Sequence, residues 1–177
     1  MAFPAAAPLI AADAVVLDVE TTGLDPRNAR IVQIGAVKLH PEADEADAFV
    51  TFVKPDIAIP ASATAIHHIA AADVADAPTV AAALGDLLRY VGDRPLIGHA
   101  VAFDIAVLAA EAKRAGLVWR RPRSLDTRHL AELVAPALPS FTIETLCSWL
   151  DIQLDMRQSA IGDARMTAAI FDRLLPL

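Results

Sequence analysis

Residues 14–20 read Ala-Val-Val-Leu-Asp-Val-Glu and run straight into Thr21-Thr22-Gly23-Leu24-Asp25-Pro26. A short, nearly apolar run bounded by turn residues reads as a strand buried within a sheet. Side chains alternate along a strand, so Asp18 and Glu20 share one face. Two like charges on a core strand repel each other and are costly to desolvate, and the pattern calls for a positive group between them. A divalent cation meets that need. The threonines and glycine that follow let the backbone turn tightly and come close to a ligand.

Two further extended segments, residues 30–40 and 48–54, flank an acidic stretch over 41–47 that reads as a solvated hairpin loop. Helical periodicity follows over 80–91, 104–115, 127–134, 143–150 and 160–175. Thr79 and Thr142 are helix-start residues, Gly116 is a helix stop, and Pro136 and Pro139 mark a loop between helices. A strand and a hairpin, then helices alternating with short apolar runs such as Pro95-Leu96-Ile97, give an α/β chain with a mixed sheet flanked by helices. At 177 residues and 55% hydrophobic, the chain suits one domain over 14–177 with a sizeable core. Residues 1–13 are apolar but broken by Pro4 and Pro8, and read as a loose N-terminal segment. The single cysteine, Cys147, falls inside an apolar helical pattern and is expected to be a buried, reduced thiol.

Two later segments place acids at helix starts. Gly98-His99-Ala100-Val101-Ala102-Phe103-Asp104 opens one helix, and Gln158-Ser159-Ala160-Ile161-Gly162-Asp163-Ala164 opens the last. Together with Asp18-Val19-Glu20-Thr21-Thr22-Gly23, these segments resemble the three motifs of the DEDDh 3'-5' exonucleases, the group that includes the proofreading epsilon subunit of bacterial DNA polymerase III. The resemblance covers residues 14–175 and implies a single exonuclease-like domain. Its implied fold is ribonuclease H-like, with a five-stranded mixed sheet. Three positions depart from the family pattern: Ala100 where members often carry Asn, His68 at a loop glycine, and Gln158 at the general-base histidine.

In-line hydrolysis of a phosphodiester needs a nucleophilic water, charge stabilisation and help for the leaving oxygen, all of which two divalent ions can supply. Carboxylates are hard ligands suited to Mg²⁺ or Mn²⁺. The resemblance makes Asp18, Glu20, Asp104 and Asp163 both the catalytic and the metal-ligand set. It assigns Asp18 to both ions and Glu20 and Asp163 mainly to the nucleophile side, and it lets Asp104 act through water. It also implies that Thr21, Thr22, Gly23 and Leu24 hold the 3'-terminal nucleotide, with Leu24 against a base. Ala63, Ile66, His67 and Phe103 would line its sugar and base. Read from the residues alone, Leu24, Ile66 and Phe103 fit an ordinary core equally, and His67 fits a surface loop.

Gln158 cannot accept a proton at neutral pH, because its amide is essentially non-basic. Loss of a general base removes about 10²–10⁴-fold of rate. The expectation is therefore a metal-dependent exonuclease of attenuated activity, acting at single-stranded DNA or RNA 3' ends within a polymerase or repair complex. Two alternatives stand beside it: a nucleic-acid-binding pseudonuclease, and an active enzyme in which His was replaced by Gln. The net charge of −7 argues against non-specific coating of duplexes more than against holding one strand end. Arg120, Arg121, Arg123 and Arg128, near Trp119, form a local basic cluster that suits either phosphate contact or a solvated loop. No run is long enough to span a bilayer, so the chain is expected to be cytoplasmic with no membrane partner.

Overall fold

The first strand sets the architecture, because almost every residue on both of its faces is apolar and must be covered. The computed structural model describes residues 13–39, 47–153 and 159–177. The strands are β1 (Ala14–Thr21), β2 (Ile31–Leu39), β3 (Ala48–Phe52), β4 (Leu96–Gly98) and β5 (Ser124–Asp126). The helices are α1 (Ala61–His67), α2 (Val80–Val91), α3 (Ala102–Arg114), α4 (Thr127–Val134), α5 (Ile143–Trp149) and α6 (Ala160–Leu174). The sheet order is β3-β2-β1-β4-β5. β1 runs antiparallel to β2, and β2 to β3, whereas β4 is parallel to both β1 and β5.

Alternation along β1 assigns its side chains to two layers. Val15, Leu17 and Val19 belong to a core with Leu84, Leu87, Ile105 and Leu108 of α2 and α3. Ala14 and Val16 pack with Phe171 of α6 on the other face. A further apolar cluster joins Ala131 of α4, Leu146 and Cys147 of α5, and Ile170 and Leu174 of α6. Asp18 and Glu20 continue the parity of Ala14 and Val16, so they emerge on the α6 face.

The predicted helices are present to within two residues at their ends. Thr79 and Thr142 act as N-caps, accepting from Ala82 N–H at 3.4 Å and Thr145 N–H at 3.3 Å. Cys147 is buried and, among the described residues, in no disulfide. Two elements have no counterpart in the sequence reading. Residues 61–67 carry no helical signal in the sequence yet form α1, whose N-cap Pro60 makes no side-chain cap bond. β5 is only three residues long and is preceded by arginines rather than an apolar run. Asp13, placed by its sequence in the loose N-terminal segment, is held by Arg94 at 2.5 Å. Residues 1–12, the hairpin stretch at 40–46 and residue Gln158 lie outside the described residues. Among the described residues, no helix is long and apolar enough to cross a membrane.

Candidate active site

Cross-strand register places Asp18 opposite Gly35 and Glu20 opposite Gln33. Those two β2 residues seat the start of α6. A Cβ on Gly35 would lie 2.2 Å from the Ala160 carbonyl carbon, so only glycine admits the helix this close. The Gln33 side-chain oxygen accepts the Ala160 N–H at 2.9 Å, and Ser159 caps the helix by accepting from Gly162 N–H at 3.2 Å. Asp163, in the first turn, is thereby brought over β1. The helix dipole favours a carboxylate there. One carboxylate oxygen from each of Asp18, Glu20 and Asp163 lies within 4.8 Å of the other two. A hard divalent cation with oxygen ligands at about 2.0–2.6 Å can span that spacing, so this donor set suits such an ion.

Asp104 approaches from the other side of the strand. β4 pairs with β1 only at Val15 and Val16. Beyond that point the buried Asp104 carboxylate takes the place of a neighbouring strand, its Oδ1 accepting Val19 N–H at 3.1 Å. Burial pushes the Asp104 carboxyl up to about 8, with the charges of Asp126 and Glu20 adding to the rise and the Val19 N–H opposing it. Asp104 is thus set against the residue between Asp18 and Glu20, while the other three acids make the close cluster.

The chain ahead of this cluster is held by internal bonds. The β1–β2 register shifts between Glu20 and Thr21, the kind of irregularity that re-aims side chains beside sites. Thr21 donates its hydroxyl to the Gly23 carbonyl at 2.7 Å, and the Thr22 hydroxyl accepts Arg30 N–H at 2.9 Å. Arg114 donates to the Arg27 and Ala29 carbonyls at 2.9 and 2.7 Å and to buried Glu111 at 2.6 Å. Nothing lies within 4 Å of a Cβ built on Gly23, and Leu24 is 85% exposed.

His67 is buried; its Nδ1 accepts Ile69 N–H at 3.0 Å, which leaves the proton of the neutral ring on Nε2. That nitrogen is buried without a hydrogen-bond partner among the described residues, and burial lowers the ring's pKa, with the Thr21 backbone opposing the shift. Ala63 is buried beside it on α1, Ile66 is 61% exposed, and Phe103 packs partly buried against the main core. His99 is tied by Nδ1 to the Thr127 hydroxyl at 3.0 Å, in keeping with a structural role.

The exonuclease family profile matches residues 15–171. The chain belongs to the exonuclease family. It is 34% identical over 161 residues to a PolC-type DNA polymerase III of Caldanaerobacter subterraneus subsp. tengcongensis, covering 91% of this chain but 11% of that protein. It is 36% identical over 166 residues to a DNA polymerase III subunit epsilon-like protein of Rhodobacter capsulatus, covering 92% of this chain and 23% of the relative. The chain thus spans a quarter or less of these relatives. The structure superposes on Escherichia coli exonuclease I in complex with a dT13 oligonucleotide with a TM-score of 0.78 at 22% identity, over 92% of this chain and 40% of that one. The ribonuclease H-like fold is therefore present, with its five-stranded mixed sheet.

Several residues that build this candidate site have no signal of that role in the sequence. Gln33 and Gly35 sit in a strand whose pattern shows only burial, and their task depends on a helix 127 residues further on. Asp126, the N-cap of α4, accepts both Arg128 N–H and Ala100 N–H at 2.9 Å and holds Ala100 at φ 56°. An Asp just before a helical run is a readable cap signal; its second partner is not readable. His68, at the family's loop glycine, likewise keeps a left-handed backbone at φ 59°. The basic cluster is divided by the fold. Arg128 borders the groove that contains Asp163, whereas Arg120, Arg121 and Arg123 precede β5 and lie toward the other end of the parallel strands.

Proposed function

We propose that this chain is a metal-dependent nuclease module that removes nucleotides from the 3' end of single-stranded DNA or RNA, with Asp18, Glu20, Asp163 and Asp104 holding Mg²⁺ or Mn²⁺. The observation that carries the reading is the convergence of three carboxylates from β1 and α6 on one point. Bound divalent ions would supply Lewis acidity and charge neutralisation at the scissile phosphate. The protein's own part is to set those acids and to present the strand end. Gly35 and Gln33 hold α6, and with it Asp163, at a fixed height over β1. Open space beside Gly23 allows close approach there, buried Thr21 and Thr22 hold the turn through their internal bonds, and exposed Leu24 and Ile66 offer apolar surface to a base or sugar. Relatives that include a PolC-type DNA polymerase III and a DNA polymerase III subunit epsilon-like protein favour a polymerase or repair assembly as the working context.

Gln158 replaces the family's general base, and the reading therefore includes a reduced rate. The test is end-labelled single-stranded DNA and RNA incubated with Mg²⁺ or Mn²⁺, comparing the wild type with Gln158→His. Shortening from the 3' end that depends on metal and rises about 10²-fold or more in Gln158→His supports the proposal. A negligible rate in both proteins, with the metal-induced rise in melting temperature still present, would make the chain a pseudonuclease.

A further inference from the structure

Four of the chain's 15 lysines and arginines fall within residues 120–128, in a protein whose net charge is −7. Arg120, Arg121 and Arg123 are exposed and, among the described residues, have no ion-pair partner. The fold strings these cations along the β5 edge of the sheet. Arg128 borders a groove of about 580 Å³ that holds Asp163, His99 and Ala100. Its chain neighbour His129 lines the next depression, about 280 Å³, together with Arg121 and the apolar Leu130 and Leu133. Arg121 is shared with a third cavity of about 260 Å³, where Arg120, Arg123, Arg94 and Trp119 meet. Acids also lie along the series: Glu132 pairs with Arg128 at 3.1 Å, Asp126 lies 3.6 Å from His129, Asp13 pairs with Arg94, Asp93 lines the third cavity, and Glu144 joins Asp163 in the first.

We infer that this β5 edge is a track for the phosphates of a single strand, several nucleotides away from the end held at the acids; the inference rests on the nuclease reading above. The three residues of β5 span roughly 10 Å, so a strand leaving the acid cluster past Arg128 reaches Arg121 and Arg123 within a few nucleotides. Spaced guanidinium groups following a groove, with apolar and aromatic surface between them, are the features that bind single strands without regard to sequence. The track also reconciles an acidic protein with a polyanionic partner. Most of the surface repels nucleic acid, and one edge, leading to the site, does not.

The experiment measures binding of 5'-labelled thymidylate trimer and dodecamer by fluorescence anisotropy, in Ca²⁺ and in EDTA, for the wild type and for Arg121→Glu/Arg123→Glu. Both arginines are exposed and outside the acid site, and Arg121→Lys/Arg123→Lys serves as the charge-preserving control. The dodecamer should bind about tenfold or more tighter than the trimer. Charge reversal should erase that difference, leave the trimer unchanged, and lower the slope of log K against log salt by about 1.4, at 0.7 per phosphate contact. The lysine variant should keep the length dependence. Equal affinity for both lengths, or a length dependence that survives charge reversal, overturns the track while leaving the nuclease reading intact. Failure of Ca²⁺ to strengthen trimer binding, with the length dependence present, counts against the metal site and not the track. Displacement of the dodecamer by poly-glutamate as readily as by unlabelled strand would mark a place for an acidic protein segment and overturn the strand assignment.

Discussion

Gly35→Ala isolates the contact that sets the height of α6 over the sheet. The new Cβ would lie 2.2 Å from the Ala160 carbonyl carbon and the Ile161 nitrogen, and 2.5 Å from the Ala160 oxygen. All three are backbone atoms, so no side chain can swing away. Reaching ordinary contact requires the start of α6 to withdraw by about 1.2 Å. Overpacking of this kind costs about 1–3 kcal/mol, and weakening the Gln33–Ala160 hydrogen bond adds about 1. Against this, alanine restricts the unfolded chain and returns about 0.4–1 kcal/mol. The net loss of about 1–3.6 kcal/mol corresponds to a melting temperature lower by about 2–14 °C for a chain of this size. The same withdrawal carries Asp163 away from Asp18 and Glu20, whose oxygens now lie within 4.8 Å of it. Millimolar Mn²⁺ should raise the wild-type melting temperature, and that increment should shrink in Gly35→Ala, because ligand-linked stabilisation follows affinity. The assay is thermal melting in EDTA and in Mn²⁺. Gly85→Ala makes the matched control, since its nearest new neighbour is the end of Arg89 at 3.9 Å; in mid-helix it should stabilise by about 0.5–1 kcal/mol. A Gly35→Ala protein that melts like the wild type, with an undiminished Mn²⁺ increment, would refute the argument that this contact positions Asp163.

Three further outcomes follow from the same geometry. In metal-free protein the raised Asp104 carboxyl keeps a proton that the unfolded chain releases, so its contribution is fully present below about pH 4 and lost as pH rises through about 8. Melts in EDTA across that range should show wild-type stability falling relative to Asp104→Asn; a rise would contradict the assignment. Ala100 occupies the left-handed region at φ 56°, which costs an alanine about 1–2 kcal/mol. Ala100→Asn should raise the melting temperature by about 2–4 °C, and a lower value in calorimetry would show that the alanine side chain is needed there. Arg114→Met removes the donors to Arg27 and Ala29 and one partner of buried Glu111. Amide exchange over residues 22–30 should accelerate at least tenfold while the Mn²⁺ increment persists, and unchanged exchange would show that the loop is held by other bonds.

Most of the fold was legible because β1 and the longer helices declare themselves by period and by caps such as Thr79 and Thr142. The acids were legible for a related reason: charges on an otherwise apolar strand, or at helix starts, are conspicuous. What the sequence hid was everything that depends on an element meeting a distant one. Gly35 looks like any strand glycine until α6 lies on it, and Glu111 looks like a surface helix acid until Arg30 and Arg114 close over it. The arginine cluster was grouped by sequence proximity, yet β5 runs through its middle and sends Arg128 to one end of the sheet and its neighbours toward the other. α1 was missed because seven residues without a capping side chain leave no periodic signal.

The bond from Val19 to Asp104 makes that acid a member of the sheet as well as of the site. Asp18 and Glu20 end in side chains that no β-ladder bond requires, so drift to an apolar residue at either position leaves the ladder itself unbroken. At 104 the same drift to an apolar residue would leave a buried amide without an acceptor, at about 1–3 kcal/mol. Retired copies of this domain should therefore shed their acids unevenly, keeping Asp or Asn at this position after the others have gone. An acid that survives there in a silent relative would testify to the short fourth strand and carry no news of catalysis.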